Sequence, residues 1–449
     1  MKLLKIIGVA FGVIVTLLVV AALALWLTFD PNSYKAYLAD WVSEQTGREF
    51  VIEDDLELTF FPWLGVTTGN IRLGNAPGFG EEPFASIDRT TVSVRLLPLL
   101  RRQLEISTVR LDGFELNLTT DADGRNNWGD LVADGAAPEA PAPSDAPREP
   151  FLESLNIAGI DVNEGLIFWR INTSEVRYVL SELALETGAI APGEPVDGEM
   201  SFRLVSVEPQ LSADLTVNGT LVLGAAGAGL ETRNLRIAFN LADGRGNERA
   251  TGSMTVDSVQ VGAADGPIEI ARGNLTARLV EPPIGPDQAE LQIDWTGAAL
   301  ERQSGTLSIT DLATSAAGIT ARWEIAGNDL FGVPELRGAM RVDAQPLTAV
   351  VDALAVELAP DVRQNLGELS AQTTFLVRPT TREATLSGLR ASMLGIELSG
   401  ELSAGSDGSA NGRFSTSDFE LSRALSLLPE ATRTQIDSQA LGPVRISAR

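Results

Sequence analysis

Apolar residues alternate with polar ones along most of the chain from residue 50 onward. Successive side chains of a β-strand point to opposite faces of a sheet, so a period of two indicates strands with one apolar and one polar face. Stretches with helical spacing are rare, and the clearest in the later part of the chain are Pro346–Leu358 and Glu420–Leu428. The sequence therefore predicts a mainly β protein with a few short helices. Residues of the pattern that would line the apolar face are Leu56, Leu58, Val92, Val94, Leu116, Leu118 and Val162.

A long apolar run precedes the strands and extends from Ile6 to Thr28 without a charge. A helix of that length spans about 35 Å, enough for a bilayer core of about 30 Å. Lys2 and Lys5 precede the run, so the positive-inside bias places residues 1–5 in the cytoplasm and the rest of the chain across the membrane. We therefore predict a single-pass anchor, with membrane-facing residues Ile6, Ile7, Val13, Ile14, Leu17, Leu18, Leu23, Leu25 and Trp26.

The alternative interpretation of this run is a cleaved signal peptide, with Ala22-Leu23-Ala24 as its cleavage box. The run is longer than the apolar region of about 7–15 residues that signal peptides usually carry. We therefore favour the anchor. Either interpretation exports the rest of the chain.

Residues 31–47 follow the run and have the spacing of a short amphipathic helix. Pro31 suits a first helical turn and Gly47 a C-terminal cap. This helix would either cap the β-structure or lie on the outer leaflet of the membrane. We expect the cap, because Asp40 and Glu44 gain nothing from a lipid surface. The apolar side chains on one face are Tyr34, Tyr37, Leu38, Trp41 and Val42.

The composition removes several classes of enzyme from consideration. The chain has no histidine and no cysteine, and its only lysines are Lys2, Lys5 and Lys35. Serine–histidine triads, histidine-ligated zinc, P-loops and Schiff-base lysines in the exported body are therefore excluded. No catalytic, cofactor-binding or metal-binding residue is predicted. The net charge of −26 also argues against nucleic acid as a partner.

A segment rich in proline and alanine interrupts the strand pattern at 133–150. Its composition is typical of a flexible linker or a long loop. It separates an N-terminal β-rich region, 30–132, from a longer repetitive β-rich region, 151–449. Asp121–Gly124 looks at first like a calcium loop, but its glycine is fourth rather than sixth, so we expect a hairpin turn there.

Internal repeats indicate a stacked β-rich array. The segment Ile106–Asn117 aligns without gaps on Leu152–Asn163, with apolar residues and a glycine at matching positions. A second pattern, two apolar residues three apart followed by Gly-Ile, occurs at 309–319 and again 77 residues later, at 386–396. Such recurrence predicts that the same supersecondary unit is built more than once.

A third repeat is a helical stretch followed by Leu-Gly and a strand, and it occurs at 347–367 and 421–442. Its second copy runs into Pro443–Arg449, which starts a strand and stops inside it. We therefore expect the chain to be cut before its final repeat.

Several motifs follow one another almost continuously from the predicted anchor to about residue 131. They are Asp30-Pro-Asn-Ser-Tyr34, Thr46-Gly-Arg48, Phe61-Pro-Trp-Leu-Gly65, Leu73-Gly-Asn-Ala-Pro-Gly-Phe-Gly80, Leu96-Leu-Pro-Leu-Leu100, Val109-x-Leu-Asp-Gly113 and Asp123-Gly-x-Asn-Asn-Trp128. Together they resemble the AsmA family of bacterial envelope proteins. The third repeat resembles the later region of that family less specifically. Glu53-Asp-Asp55 departs from the pattern where many relatives would have a glycine.

The resemblance implies an inner-membrane anchor and a periplasmic body. It implies an elongated, repetitive antiparallel sheet that curls into a groove, akin to TamB and to chorein-type lipid-transfer proteins. The implied role lies in outer-membrane biogenesis, by moving phospholipid across the periplasm or by affecting the assembly of outer-membrane proteins. No catalytic residue carries over from the family.

An open sheet with one apolar face must cover that face with another sheet, with helices or with acyl chains. The chain offers many half-apolar strands and few helices, so a membrane-anchored phospholipid conduit is our first hypothesis. The same residues could instead form an ordinary sandwich core. The second hypothesis is a non-enzymatic assembly factor whose strand edges pair with outer-membrane proteins. A carboxylate-dependent hydrolase is a third, and no local motif supports it.

Overall fold

A computed structural model of the chain describes residues 30–448 except for 60–63, 95–104, 122–123, 133–155, 172–176, 192–193, 208–209, 224–228, 263–265, 283–286, 317, 354–355, 357, 359, 365 and 421–442. The chain divides into two compact units, with the boundary between Leu211 and Ser212. Strands make up most of the described residues in both, so the prediction of a mainly β protein is confirmed. None of the described helices is long and apolar enough to cross a membrane, and the predicted anchor, 6–28, lies outside the described residues.

The first unit begins with a short helical segment and continues as strands. A 3-10 turn, Pro31–Tyr34, leads into helix α1, Lys35–Thr46, which ends at Gly47 with a left-handed φ of 66°. Helix α2, Gly129–Val132, lies between the fifth and sixth strands. The strands are β1 (Phe50–Ile52), β2 (Glu57–Thr59), β3 (Leu64–Leu73), β4 (Ala85–Val94), β5 (Glu105–Thr120), β6 (Asn156–Ile171), β7 (Arg177–Thr187) and β8 (Pro195–Ser206).

Helix α1 does not cap the β-structure with its apolar face, and that expectation is wrong. Tyr37 and Trp41 are 68% and 53% exposed. The helix packs through its opposite side, where Ser43 Oγ accepts a hydrogen bond of 3.0 Å from the backbone N–H of Phe50 in β1. A polar contact to a strand therefore decides which way the helix faces.

The first sheet is antiparallel except at one pair. Strand β3 pairs with β1, β2 and β4, and the order continues through β5 to β8. Strands β5 and β6 are parallel, so the sheet is mostly antiparallel, as expected, with an exception at this pair. A parallel pair needs a crossover of about a dozen residues or more, and residues 121–155 provide that length. Strands β5 and β6 therefore pair with each other although the segment 133–150 separates them in the sequence. That segment lies outside the described residues.

The register of β5 and β6 differs from the sequence alignment of Ile106–Asn117 on Leu152–Asn163. Ile106 lies opposite Ile157, and Leu111 lies opposite Val162. The offset is therefore 51 residues, whereas the gapless alignment has 46. This register places apolar residues opposite apolar residues, which is what specifies pairing where one face of a sheet is apolar.

A row of backbone kinks crosses the first sheet. Asn70 in β3, Gly113 in β5 and Glu164 in β6 have φ of 48°, 66° and 55°. The register places them at adjacent positions, with Asp88 of β4 between Asn70 and Gly113. A Cβ added at Gly113 would lie 2.2 Å from Asp88 Oδ2, so only glycine fits there.

We expect Gly113→Ala to lower the free energy of unfolding of the first unit by about 1–3 kcal/mol, because alanine at this φ is strained and its Cβ meets the Asp88 carboxylate. Hydrogen exchange of β4 and β5 in the full chain would measure the loss. Gly65→Ala is the matched control, since its added Cβ would meet nothing closer than 3.4 Å. Equal effects of the two substitutions would contradict this account.

The second unit is a long succession of strands with two short helices. Helices α3, Leu347–Ala353, and α4, Pro360–Arg363, lie between β18 and β19. The strands are β9 (Leu211–Leu223), β10 (Leu230–Asp243), β11 (Glu248–Val261), β12 (Ile268–Ile270), β13 (Gly273–Val280), β14 (Gln288–Trp295), β15 (Gly297–Glu301), β16 (Thr306–Ala316), β17 (Ile319–Asn328), β18 (Glu335–Pro346), β19 (Glu368–Arg378), β20 (Glu383–Met393), β21 (Ile396–Ala404), β22 (Ala410–Thr416), β23 (Phe419–Glu420), β24 (Pro443–Val444) and β25 (Ser447–Ala448).

These strands form an antiparallel meander from β10 to β22, β9 pairs with β10, and β25 pairs with β22. Strands β12 and β13 both pair with β11, and β14 and β15 both pair with β16. Strands β12 and β13 together therefore act as one long strand with a break in its middle, and β14 and β15 do the same. Strands β23 and β24 form a separate antiparallel pair.

The repeat at 309–319 and 386–396 corresponds to two hairpins of the same construction. In the first, β16 is bulged against β17 between Ile309 and Leu312; in the second, β20 is bulged against β21 between Leu386 and Leu389. The two turns place Gly318 and Gly395 at φ of 72° and 71°. The sequence pattern therefore marks a repeated structural unit.

Helix α3 covers one end of the sheet in the second unit. Leu347 and Val350 are buried against Leu366, and Ile319 and Leu369 pack on the same cluster. Within the predicted helical stretch 346–358, helix α3 occupies Leu347–Ala353 and lies over strand ends. The other predicted helical stretch, 420–428, lies almost entirely outside the described residues.

Candidate functional site

Cross-strand pairing in the second unit sorts side chains into rows that run across β10, β11, β13, β14, β16 and β17. One row contains Phe239, Gly252, Ala277, Leu291, Ala316 and Ile319. A second row on the same face contains Ile237, Met254, Leu275, Ile293, Thr314 and Ala321. The row between them, on the other face, contains Ala238, Ser253, Thr276, Gln292, Ser315 and Thr320. This part of the sheet therefore has an apolar face and a polar face.

The first unit has the same division on one side of its row of kinks, whereas beyond the kinks Phe168, Val179 and Val205 make the other face largely apolar as well. On one side, the apolar row is Leu111, Val162, Leu185 and Met200. The adjacent row on the other face is Arg110, Asp161, Glu186 and Glu199. Beyond the kinks, an apolar row contains Ala85, Leu116, Ile167, Leu180 and Leu204. The polar face carries ion pairs, such as Arg110 Nε to Asp161 Oδ2 at 3.0 Å.

The predicted lining residues other than Leu56 lie opposite apolar residues of neighbouring strands. Val66 lies opposite both Leu58 and Val92. Val94 lies between Leu64 and Ile106. Leu116 and Val162 belong to the rows given above, and Leu118 lies opposite Trp169.

Leu56 lies outside the apolar rows. It belongs to the loop between β1 and β2, is 7% exposed, and donates its backbone N–H to Asn32 Oδ1 at 2.9 Å. Its apparent place in the alternation comes from the residues that follow it in β2. Leu56 is therefore a packing residue beside the 3-10 turn, not part of the apolar rows.

The apolar face of the second unit is an open surface in the part of the chain that the structure describes. Ile237, Leu275 and Ile293 are only half-buried, although they lie in the middle of the sheet. A second sheet packed on this face would bury them fully, as in a sandwich core. An apolar surface of this extent on a monomer marks a site of interaction.

Two cavities of the second unit open on the polar face instead. They have volumes of about 800 and 680 Å³. The first is lined by Ser253, Thr276 and Gln292, and the second by Arg341, Gln372 and Arg390. Such linings do not suit acyl chains, so the apolar face is the candidate surface for an apolar ligand.

Three buried polar residues of the first unit, Arg48, Asn117 and Asn127, form with Asn75 and the exposed Asp130 what we call the Arg48 cluster. Asn127 is 0% exposed. Its Nδ2 donates to Asn75 Oδ1 at 2.9 Å and to the Asn117 carbonyl at 2.7 Å. Its Oδ1 accepts from the backbone N–H of Thr119 at 2.9 Å. The Asn127 amide thus supplies hydrogen-bonding partners to β5 beyond the N-terminal end of β4.

Arg48 ties helix α1 to this cluster. It follows the cap of the helix, and its fully buried side chain donates from Nη2 to the Asn127 carbonyl at 2.7 Å and to Asp130 Oδ1 at 2.5 Å. The guanidinium carbon also lies 4.6 Å from the centre of the Phe84 ring. The hydrogen bond from Arg48 holds the pKa of the Asp130 carboxyl below its ordinary value. These contacts position a helix; they offer no nucleophile or proton relay.

The sequence motifs contain Arg48, Asn75 and Asn127 but indicate no role for them. Thr46-Gly-Arg48 and Asp123-Gly-x-Asn-Asn-Trp128 are about 80 positions apart, and only folding brings Arg48 to Asp130. Among the residues that the structure describes, no group of acidic residues is arranged to hold a metal ion.

The comparisons with known proteins agree on one family. The model of the AsmA family matches residues 1–238. Protein AsmA of Escherichia coli (strain K12) is 30% identical over 107 residues, which cover 24% of this chain and 17% of that protein. AsmA family protein YhjG of the same organism is 28% identical over 124 residues, which cover 25% of this chain and 18% of that protein.

Each alignment spans less than a fifth of the relative's own length. No solved structure matches the chain significantly. The family model covers the first unit and continues into the second, so it includes the Arg48 cluster and the apolar rows from β3 to β8. Because that match extends over more than half of the chain, the protein belongs to the AsmA family.

Proposed function

We propose that the chain is an inner-membrane-anchored periplasmic protein that carries phospholipid along the apolar face of its sheet, between the inner and the outer membrane. Residues 6–28 are the anchor in this proposal, and phospholipid is the ligand. The observation that carries it is the pair of adjacent apolar rows across β10 to β17, whose large apolar side chains are only half-buried.

The dimensions of these rows suit acyl chains. Strands in a sheet lie about 4.8 Å apart, so six neighbouring strands extend about 24 Å across. One leaflet of a bilayer has a hydrocarbon thickness of about 15 Å, which is half of the ~30 Å core. An acyl chain laid along a row would therefore contact several strands at once. Each buried methylene contributes about 0.8 kcal/mol, so such contact offsets the exposure of the apolar face.

A photo-crosslinking amino acid at Ile293, in an apolar row, tests the proposal in the full chain within cells. The matched control places it at Gln292, the neighbouring residue on the polar face. We expect mass spectrometry to find phospholipid adducts at 293 and none at 292. Adducts with outer-membrane proteins alone at 293 would overturn the lipid proposal in favour of an assembly factor. Equal lipid adducts at both positions would overturn it as non-specific.

A further inference from the structure

Helix α1 presents its aromatic face to the solvent. Tyr37, Leu38 and Trp41 are 68%, 40% and 53% exposed. At 3.6 residues per turn they lie within an arc of about 100°. Large apolar side chains clustered on one face of a surface helix normally point to the core.

The opposite side of the helix is the one attached to the sheet. Lys35 Nζ donates to the Glu53 carbonyl at 3.1 Å and lies 3.7 Å from Asp55 Oδ1. Ser43 Oγ accepts from the backbone N–H of Phe50 at 3.0 Å. These polar contacts fix the rotation of the helix, so the aromatic face remains available to something outside the unit.

The position of the helix in the chain indicates what contacts its aromatic face. The apolar run that predicts the anchor ends at Thr28, and Asp30 caps the 3-10 turn that leads into α1, with its Oδ1 accepting from the N–H of Asn32 at 3.0 Å. If residues 6–28 span the bilayer, α1 therefore begins at its surface. Tryptophan and tyrosine favour this interface, where the ring is apolar and its polar group reaches water.

We propose that the face formed by Tyr37, Leu38 and Trp41 rests in the headgroup region of the membrane that holds the anchor. Asp40 and Glu44 lie beside this face on the helix, so the contact is shallow and suits zwitterionic headgroups. The helix then lies along the surface and, through the Arg48 cluster, fixes the first sheet relative to the bilayer. This inference rests on the anchor of the proposed function but not on lipid transport.

The full chain has no cysteine, so one introduced cysteine carries a single fluorophore. Trp41→Cys tests the aromatic face, and Ala36→Cys is the control, exposed and about 140° away around the helix. Leu18→Cys reports on the anchor. Each labelled chain is placed in vesicles of phosphatidylethanolamine and phosphatidylglycerol, and quenching by spin-labelled lipid is compared with quenching by iodide.

We expect the label at 41 to be quenched several-fold more by the lipid-borne quencher than the label at 36, and several-fold less by iodide. Lipid quenching at 18 but not at 41, with iodide reaching 41, would overturn the inference while the anchor stands. Shielding of 41 from both quenchers would also overturn it and assign the face to a protein partner. Absence of lipid quenching at 18 would remove the anchor and the inference together.

Discussion

Leu275→Asp is expected to lower the yield of lipid adducts formed at position 293 by about tenfold or more, which is at least about 1.4 kcal/mol of binding free energy. Leu275 lies opposite Ile293 in the apolar row. A leucine side chain covered by an acyl chain contributes about 1.5–3 kcal/mol, and a carboxylate must in addition be desolvated when lipid covers it.

The matched control is Thr276→Asp, the next residue of β13. Thr276 is exposed on the polar face opposite Gln292, so the same carboxylate stands in water there. We expect it to leave the adduct yield unchanged. Circular dichroism should show the same strand content in both variants, because Leu275 is only half-buried.

Two outcomes would contradict this account. If Leu275→Asp removed the β-signal while Thr276→Asp did not, Leu275 would be a core residue of a closed sandwich. If both variants kept their structure and their full lipid adducts, the rows would not be the path of the lipid.

Asn127→Ala is expected to lower the free energy of unfolding of the first unit by about 3 kcal/mol or more. The substitution removes the Asn127 partner of the Asn117 carbonyl and of the Thr119 N–H, while Asn75 Oδ1 keeps its hydrogen bond from the Ala76 N–H. Each buried polar group left unsatisfied costs about 1–3 kcal/mol. The Asn127 carbonyl that accepts from Arg48 belongs to the backbone, so the effect on α1 arises from movement of this segment.

Hydrogen exchange in the full chain measures the effect locally. We expect amides of α1 and of the C-terminal part of β5 to exchange about 100-fold faster or more, since each 1.4 kcal/mol is about tenfold. The second unit serves as the internal reference, and Asn240→Ala, at an exposed position in β10, is the control substitution. Unchanged protection of α1 in Asn127→Ala would show that the cluster does not hold the helix.

Local features of the chain were predictable because they depend on neighbours in sequence. The period of two predicts strands, since alternate side chains point to opposite faces wherever the backbone is extended. Pro31 and Gly47 bound the helical segment, because proline suits a first turn and glycine a left-handed cap. The repeat at 309–319 and 386–396 predicts two like hairpins, because the bulge and the glycine turn are both set by local residues.

Other features depend on residues that meet only after folding. The parallel pairing of β5 with β6 and its offset of 51 residues come from the fit of one apolar row to another. Leu56 follows the same alternation as Leu58, yet it packs beside the 3-10 turn because its N–H meets Asn32.

The sequence by itself determined the elements of this protein, its alternating faces and its family resemblance. Tertiary structure alone decided which rows adjoin, where the polar residues are buried and which way α1 faces. Periodicity is a property of the covalent chain, so it can be seen in the sequence. The contact of Arg48 with Asp130 joins residues 82 positions apart. It forms only because the sheet brings both to one end, where a buried guanidinium must find its acceptors.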